Sequence, residues 1–208
     1  MISPKAVVAA LVVSSCMMLS NLAYADSNTD FSNSGGTLSG TSAGLALTGS
    51  TLISVTGYPG IGSTMGNLGS LTFSTGALTS GSLQMGGTFA GGGAFMIDGN
   101  GTGGLTDGVL FSGSFSGPVT WTLTTLSNGT HNYTLTGVVT GTMGGMNVNG
   151  VTVQLTINTG KGFFNGTTTI SGGDTAVMSS VPEPSTFALF GTGGLSLIGM
   201  LKRKLYAR

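Results

Sequence analysis

Val119-Thr120-Trp121-Thr122-Leu123-Thr124 alternates apolar side chains with threonines. The same period of two returns in residues 151–157 and, with phenylalanine and serine, in residues 111–116. Successive side chains of a β-strand point to opposite faces, so each stretch predicts a strand with one apolar face and one hydroxyl face. This pattern is typical of an antiparallel sheet that buries one side and leaves the other in water.

Glycine, serine and threonine punctuate the rest of the body, since only four of the 39 glycines lie in the C-terminal stretch 185–201. Closely spaced turn residues between short strands favour an all-β body, an antiparallel β-sandwich or a barrel. Residues 37–104 repeat Gly-x-Leu and Gly-x-Phe units without a fixed period, which leaves a β-solenoid as the alternative. Residues 26–40 have little apolar content, and disorder is a further alternative for them.

Two Asn-Gly pairs allow turns to be placed by register. A two-residue type I′ turn at Asn149-Gly150 would pair Val148 with Val151 and keep the apolar residues on one face. At Asn128-Gly129, a two-residue turn would place apolar side chains of one strand opposite threonines of the next. A three-residue loop over residues 127–129 avoids this, and it predicts a bulge with Gly129 at positive φ.

The charges of the body, residues 26–180, exclude several classes of function. It holds five aspartates and one lysine, Lys161, for a net charge of −4, so no basic patch is available for nucleic acid. Its lack of cysteine excludes disulfides and thiolate metal sites. We expect no metal and no cofactor.

The candidate chemical residues of the body are few. His131 is the one histidine of the chain and follows a predicted turn, where a loop residue without a catalytic role is expected. Residues 98–100 resemble the start of a calcium loop, but Val109 stands where an EF-hand needs glutamate. A tight turn is expected here, and a weak calcium site formed by Asp98, Asn100 and Asp107 is the alternative. Residues 99–104 fit G-x-G-x-x-G by composition alone, without the strand and helix that a dinucleotide site needs.

Three aromatic residues bear on carbohydrate binding. Trp121, Tyr133 and Tyr58 would form a sugar-stacking platform if they were exposed. Trp121, however, alternates with Val119 and Leu123, which favours a place in the core. No catalytic set of residues can be assembled, so we expect a protein that is not an enzyme.

The C-terminal segment, residues 181–208, has three parts. Val181-Pro182-Glu183-Pro184 cannot continue a helix or enter a central strand. The uncharged residues 185–201 would form a helix of about 25 Å, the short end of what crosses a bilayer. A basic tail over 202–208 would stay cytoplasmic by the positive-inside rule; its cations are Lys202, Arg203, Lys204 and Arg208.

This order of box, apolar helix and basic cluster resembles the PEP-CTERM sorting signal of Gram-negative bacteria that make extracellular polysaccharide. The resemblance implies that exosortase, a membrane-embedded protease, recognises Pro182, Glu183 and Pro184 and processes the chain. It implies a route through the inner membrane to the surface or the medium. It implies no activity for the body, because unrelated bodies share the signal.

The N-terminal segment, residues 1–25, has the features of a secretory signal peptide. Lys5 precedes an apolar stretch, and Ala23 and Ala25 form a small-x-small cleavage site before Asp26. The Sec translocon and signal peptidase are the expected partners. Lipidation of Cys16 is the alternative, because residues 13–16 loosely resemble a lipobox.

Taken with the thin chemistry of the body, these signals predict a secreted structural protein. We expect an exported, membrane-anchored precursor that becomes part of the cell surface or extracellular matrix, in association with exopolysaccharide in a biofilm. The alternative is a β-sandwich module that binds polysaccharide through exposed aromatic residues.

Overall fold

The computed structural model describes residues 28–178, which form thirteen β-strands. The segments predicted to be a signal peptide and a sorting signal lie outside these residues. The strands are β1 (Asn28–Ser34), β2 (Thr37–Thr41), β3 (Gly44–Tyr58), β4 (Gly62–Ser74), β5 (Leu78–Ser82), β6 (Gly86–Phe89), β7 (Gly92–Asn100), β8 (Asp107–Phe115), β9 (Val119–Thr125), β10 (His131–Met143), β11 (Met146–Asn158), β12 (Thr167–Thr169) and β13 (Gly172–Met178).

Eight strands close into an antiparallel barrel. Their order is β1-β3-β4-β7-β8-β10-β11-β13, and β13 pairs back onto β1. The barrel-like all-β prediction is confirmed, and the β-solenoid alternative is wrong. The Gly-x-Leu units of the first half belong to antiparallel strands of unequal length, so they never build a repeating coil.

Two branches leave the barrel where a long strand changes partner. β10 pairs with β8 over residues 139–143 and with β9 over residues 131–136. β9 then continues the sheet through β6 to β5. In the same way, the first residues of β3 pair with β2, which carries the short β12.

The core follows the alternation in the sequence. Val119 and Trp121 of β9 point inward while Thr120 and Thr122 are exposed, and the apolar residues of 151–157 are all buried. Burying these side chains supplies the main driving force for folding. Disorder is excluded for residues 28–40, because the ladders of β1 and β2 bury Phe31 and Leu38 completely.

The loop predicted over residues 127–129 is present. Leu123 pairs with Tyr133 and Trp121 with Leu135, and Gly129 has a φ of 77°. The Gly129 N–H donates to the Leu126 carbonyl O at 2.9 Å, which closes the turn.

The turn predicted at Asn149-Gly150 is wrong, because β11 runs through both residues. The hairpin turns instead at Gly144-Gly145, with φ angles of 57° and 81°. Between Val139 and Gly141 the register shifts by one residue, which marks a bulge on β11. Gly150 has a φ of 77°, a backbone angle that would also suit a turn. In this strand it allows the bulge instead.

Candidate functional site

Polar residues that point outward from β9, β10 and β11 form an uncharged surface, although Val138 on the outward side of β10 is apolar and 42% exposed. The pairing sets threonines side by side across strands: Thr122 faces Thr134, which faces Thr156. Directly opposite side chains lie about 5 Å apart in such ladders. We call this surface the hydroxyl face; its members are Thr120, Thr122, Thr124, Asn132, Thr134, Thr136, Gln154, Thr156 and Asn158.

Hydrogen bonds order parts of the hydroxyl face. The Thr120 hydroxyl donates to the Thr136 carbonyl O at 3.1 Å. At one end, the Asn158 amide donates to Oδ1 of Asn132, directly across the ladder. The face therefore offers hydroxyl and amide groups at fixed positions without any net charge.

The predicted sugar-stacking platform of Trp121, Tyr133 and Tyr58 does not exist. Trp121 is 1% exposed and stacks on the fully buried Tyr133 at 4.9 Å. Their polar groups bind the β5–β6 turn, since Trp121 Nε1–H donates to the Leu83 carbonyl O and the Tyr133 hydroxyl to that of Gln84. Tyr58 is half-buried against Phe31. The first two are core residues, as the alternation around Trp121 predicts.

His131 is not a loop residue, contrary to the prediction. It begins β10 and is 8% exposed, because the loop after β11 covers it. Its ring stacks on Phe163 at 4.3 Å, and Nδ1 lies 3.1 Å from the Thr125 hydroxyl O. The residues near His131 in the sequence do not predict its burial, since Phe163 lies 32 residues away.

Asn100 is the last residue of β7, and its side chain holds the turn that follows. Its Oδ1 accepts hydrogen bonds from the N–H and the hydroxyl of Thr102, and its amide nitrogen donates to the Asn67 carbonyl O. Asp107 lies opposite Asn100 in the β7–β8 ladder. Over residues 28–178, no three side chains of His, Cys, Asp or Glu come together in a group that could hold a metal ion. The G-x-G-x-x-G match covers the last two residues of β7 and the start of the connection to the antiparallel β8.

Two aspartates lie near each other on the barrel exterior. Asp30 of β1 and Asp174 of β13 are diagonal neighbours, because Asp174 pairs with Ser32. Burial and the Asp174 carboxylate raise the pKa of Asp30, while a backbone hydrogen bond from Phe31 opposes the change. An open groove of about 490 Å³ beside Asp174 is lined mainly by serine and glycine residues and by the amides of Asn33 and Gln154.

Comparison with known proteins bears on the C-terminal segment. The PEP-CTERM protein-sorting motif matches residues 180–204, which include the predicted box and three of its four downstream cations. No curated protein and no solved structure matches the chain. In the part of the chain that the structure describes, we find no helix with the length and apolar character needed to cross a membrane.

The motif marks an exported protein that is made as a membrane-anchored precursor and processed for the cell surface, with exosortase as the processing partner. Its match is confined to residues 180–204 and gives no activity to the barrel. The chain therefore carries the sorting motif of PEP-CTERM proteins, and this motif follows an all-β body in the sequence.

Proposed function

We propose that this protein is a structural component of the bacterial cell surface or extracellular matrix that associates with exopolysaccharide. The hydroxyl face is the observation that carries the proposal. Its uncharged donors and acceptors lie in register across three strands, so they match the hydroxyl groups of a glycan chain. Many weak contacts of this kind can add up to firm retention in a polymer.

A role without catalysis agrees with how the candidate residues are used. His131 is packed under Phe163, and Asn100 holds a turn. A hydrolase needs ionisable groups held together with suitable pKa values, whereas Asp30 and Asp174 lie on an open exterior face. A polysaccharide-binding module remains the second candidate, now on polar contacts and on Phe163, the one exposed aromatic residue within 28–178, rather than on a row of aromatics.

The proposed route has a cut at each end of the body. The Sec translocon exports the chain across the inner membrane of a Gram-negative cell, and signal peptidase cuts after Ala25. Exosortase then acts at Pro182, Glu183 and Pro184. β13 ends at Met178, so the second cut leaves every strand of the barrel on the released product.

Intact-mass measurement of surface-extracted protein tests this route. The mature protein should begin at Asp26 and end between Pro182 and Ser185, and Glu183→Gln should retain the precursor in the inner membrane. Asp107→Asn, which also removes one acid, is the matched control and should be processed normally. A lipidated Cys16 would refute the first cut, and an intact Arg208 in mature protein would refute the second.

Binding to the organism's own exopolysaccharide tests the role. The purified protein should be retained on that polymer without shortening it, and gene deletion should change biofilm texture while growth stays normal. Cleavage of the polymer that is lost in His131→Ala or Asp98→Asn would overturn the proposal.

A further inference from the structure

The loop between β11 and β12, residues 159–166, holds two side chains that have no counterpart elsewhere in residues 28–178. Phe163 is 47% exposed and is the one aromatic side chain there that is exposed to solvent. Lys161 is the one lysine or arginine in the same range, and it is exposed as well. The loop follows directly after Asn158, at the end of the hydroxyl face.

The loop is held in one conformation from both sides. The His131 N–H donates to the Gly160 carbonyl O at 2.7 Å, and the Thr159 hydroxyl donates to that of Gly162 at 2.6 Å. Phe164 is 1% exposed, and its N–H donates to the Tyr133 hydroxyl O at 3.0 Å. With Phe164 anchored in the core, Phe163 is fixed on the outside. A binding group held in this way loses little conformational entropy when it meets a ligand.

The ring of Phe163 is covered on one side. It lies nearly parallel to the His131 ring, with 4.3 Å between ring centres and 17° between planes. Packing against His131 therefore accounts for one face, and nearly half of the side chain is still open. The face of an aromatic ring carries partial negative charge and attracts the slightly positive C–H groups of a flat apolar surface. One side of a pyranose ring presents such a surface.

Lys161 adds a positive charge to the loop that carries Phe163. The rest of the described body carries four aspartates and no other cation, so the loop is a positive point on an acidic protein. A carboxylate on a sugar would be attracted here and repelled beside Asp30 and Asp174. The charge thus distinguishes an acidic sugar from a neutral one, and it places the sugar at this loop.

We propose that the 159–166 loop binds an acidic sugar residue of a polysaccharide, with its ring stacked on Phe163 and its carboxylate paired with Lys161. The chain of the same polymer would continue over the hydroxyl face, beginning at the Asn132–Asn158 pair. The inference rests on the proposed association with polysaccharide, and it names the class of sugar and the residues that select it.

Binding measurements on the full-length protein in detergent test the inference. The probes are polygalacturonate, which is acidic, dextran, which is neutral, and the organism's own exopolysaccharide. The wild-type protein should prefer polygalacturonate to dextran, and the preference should shrink as salt is raised. Phe163→Ser should weaken binding of polygalacturonate roughly tenfold. Lys161→Gln should weaken it about two- to fivefold and remove the salt dependence.

Two controls keep the result interpretable. Met146→Ser removes an exposed apolar side chain, 58% exposed, from the far end of the β10–β11 hairpin and should bind like the wild type. Lys161→Gln changes an exposed side chain, so a normal thermal melt for it excludes misfolding even if Phe163→Ser is destabilised.

The outcomes separate the two proposals. If the wild type binds its own exopolysaccharide and both variants bind equally well, the loop is not the site and the inference fails alone. If the wild type binds none of the three polymers, the proposed association itself fails. Anionic phospholipid vesicles are a further probe: variants that lose vesicle binding but keep polygalacturonate binding would overturn the inference in favour of a membrane contact.

Discussion

At the scale of single residues, the clearest anomaly is a hydroxyl group in the core. Thr175 is 1% exposed, and its Oγ1 has no hydrogen-bond partner among the described residues. It lies between Phe31 on one neighbouring strand and Val153 on the other. A buried polar group without a partner loses its hydration and gains nothing in return.

Thr175→Val should therefore raise the free energy of unfolding by about 1 kcal/mol, because valine has nearly the same shape and no group to satisfy. Urea denaturation measures the change. Thr152→Val, on the exposed side of β11, is the matched control and should stay within about 0.5 kcal/mol of the wild type. A loss of stability in Thr175→Val would show that the hydroxyl has a partner, such as a bound water.

Asp30 makes stability depend on pH. Its raised pKa means that the folded protein holds the proton more tightly than the unfolded chain does. The stability that the protonated Asp30 contributes is therefore fully present below the ordinary pKa of 3.8. It is lost as pH rises through the higher pKa of the folded state. Asp30→Asn should stabilise the protein slightly at pH 7, by at most about 0.5 kcal/mol for so exposed a pair, and should have less effect at pH 3.

Thermal melts across this pH range measure the effect of Asp30→Asn. Asp107→Asn, at the exposed start of β8, serves as the control. If the asparagine at position 30 stabilised the protein more at pH 3 than at pH 7, the assigned direction of the pKa change would be wrong.

Residue-level inference from the sequence succeeded where the partner was local in the strand pattern. The sequence predicts Trp121 in the core because Val119 and Leu123 share its face. The prediction for His131 fails, because the burial of His131 depends on Phe163, which lies in the loop after β11. Alternation shows which face a residue occupies, but not which distant loop covers the end of its strand.

At the scale of elements, the pairs Asn128-Gly129 and Asn149-Gly150 show how one local signal supports two structures. Both glycines adopt a φ of 77°, one in a hairpin loop and the other in a bulge. The loop at 127–129 could be derived because only one register kept Leu123 and Tyr133 on the same face. At Asn149-Gly150, both the turn and the continuous strand keep the apolar residues buried, so the pattern could not choose.

Two glycines near this bulge should differ sharply when replaced by alanine. At Gly150 an added Cβ would meet nothing within 4 Å, so Gly150→Ala should cost about 1 kcal/mol, the strain of the left-handed backbone. At Gly141 the Cβ would run into the backbone of Ser112 and Gly113 on β8. Gly141→Ala should therefore push β8 from β10 and cost about 3 kcal/mol or more.

Denaturant midpoints of Gly141→Ala and Gly150→Ala measure the difference, and hydrogen exchange of the β8 amides locates it. Protection on β8 should fall in Gly141→Ala and persist in Gly150→Ala. Equal costs for the two variants would mean that the β8–β10 ladder can open without penalty, against the close approach seen at Gly141.

At the scale of the whole molecule, closure of the barrel depends on its last strand. The pattern in the sequence predicted antiparallel strands with a wet face, but it left sandwich, barrel and solenoid open. Closure is decided by which distant strands meet, and β13 joins β1 through pairs such as Phe31–Thr175 across most of the chain. Such long-range pairing leaves no trace in a local period. The position of the sorting motif, in contrast, needs no partner and could be found from its residues alone.

The same arrangement predicts the effect of two truncations. A chain that ends at Ser180 keeps β13 complete, so its free energy of unfolding should match that of the full-length protein within about 0.5 kcal/mol. A chain that ends at Ser171 lacks β13, which exposes the edges of β1 and β11 together with Phe31 and Val153. Two open edges and an uncovered core should prevent cooperative unfolding and promote aggregation. Circular dichroism melts and size-exclusion chromatography distinguish the two chains. If the shorter chain melted cooperatively as a monomer, the barrel would not need β13. Processing could then remove residues before the sorting motif as well, without loss of the fold.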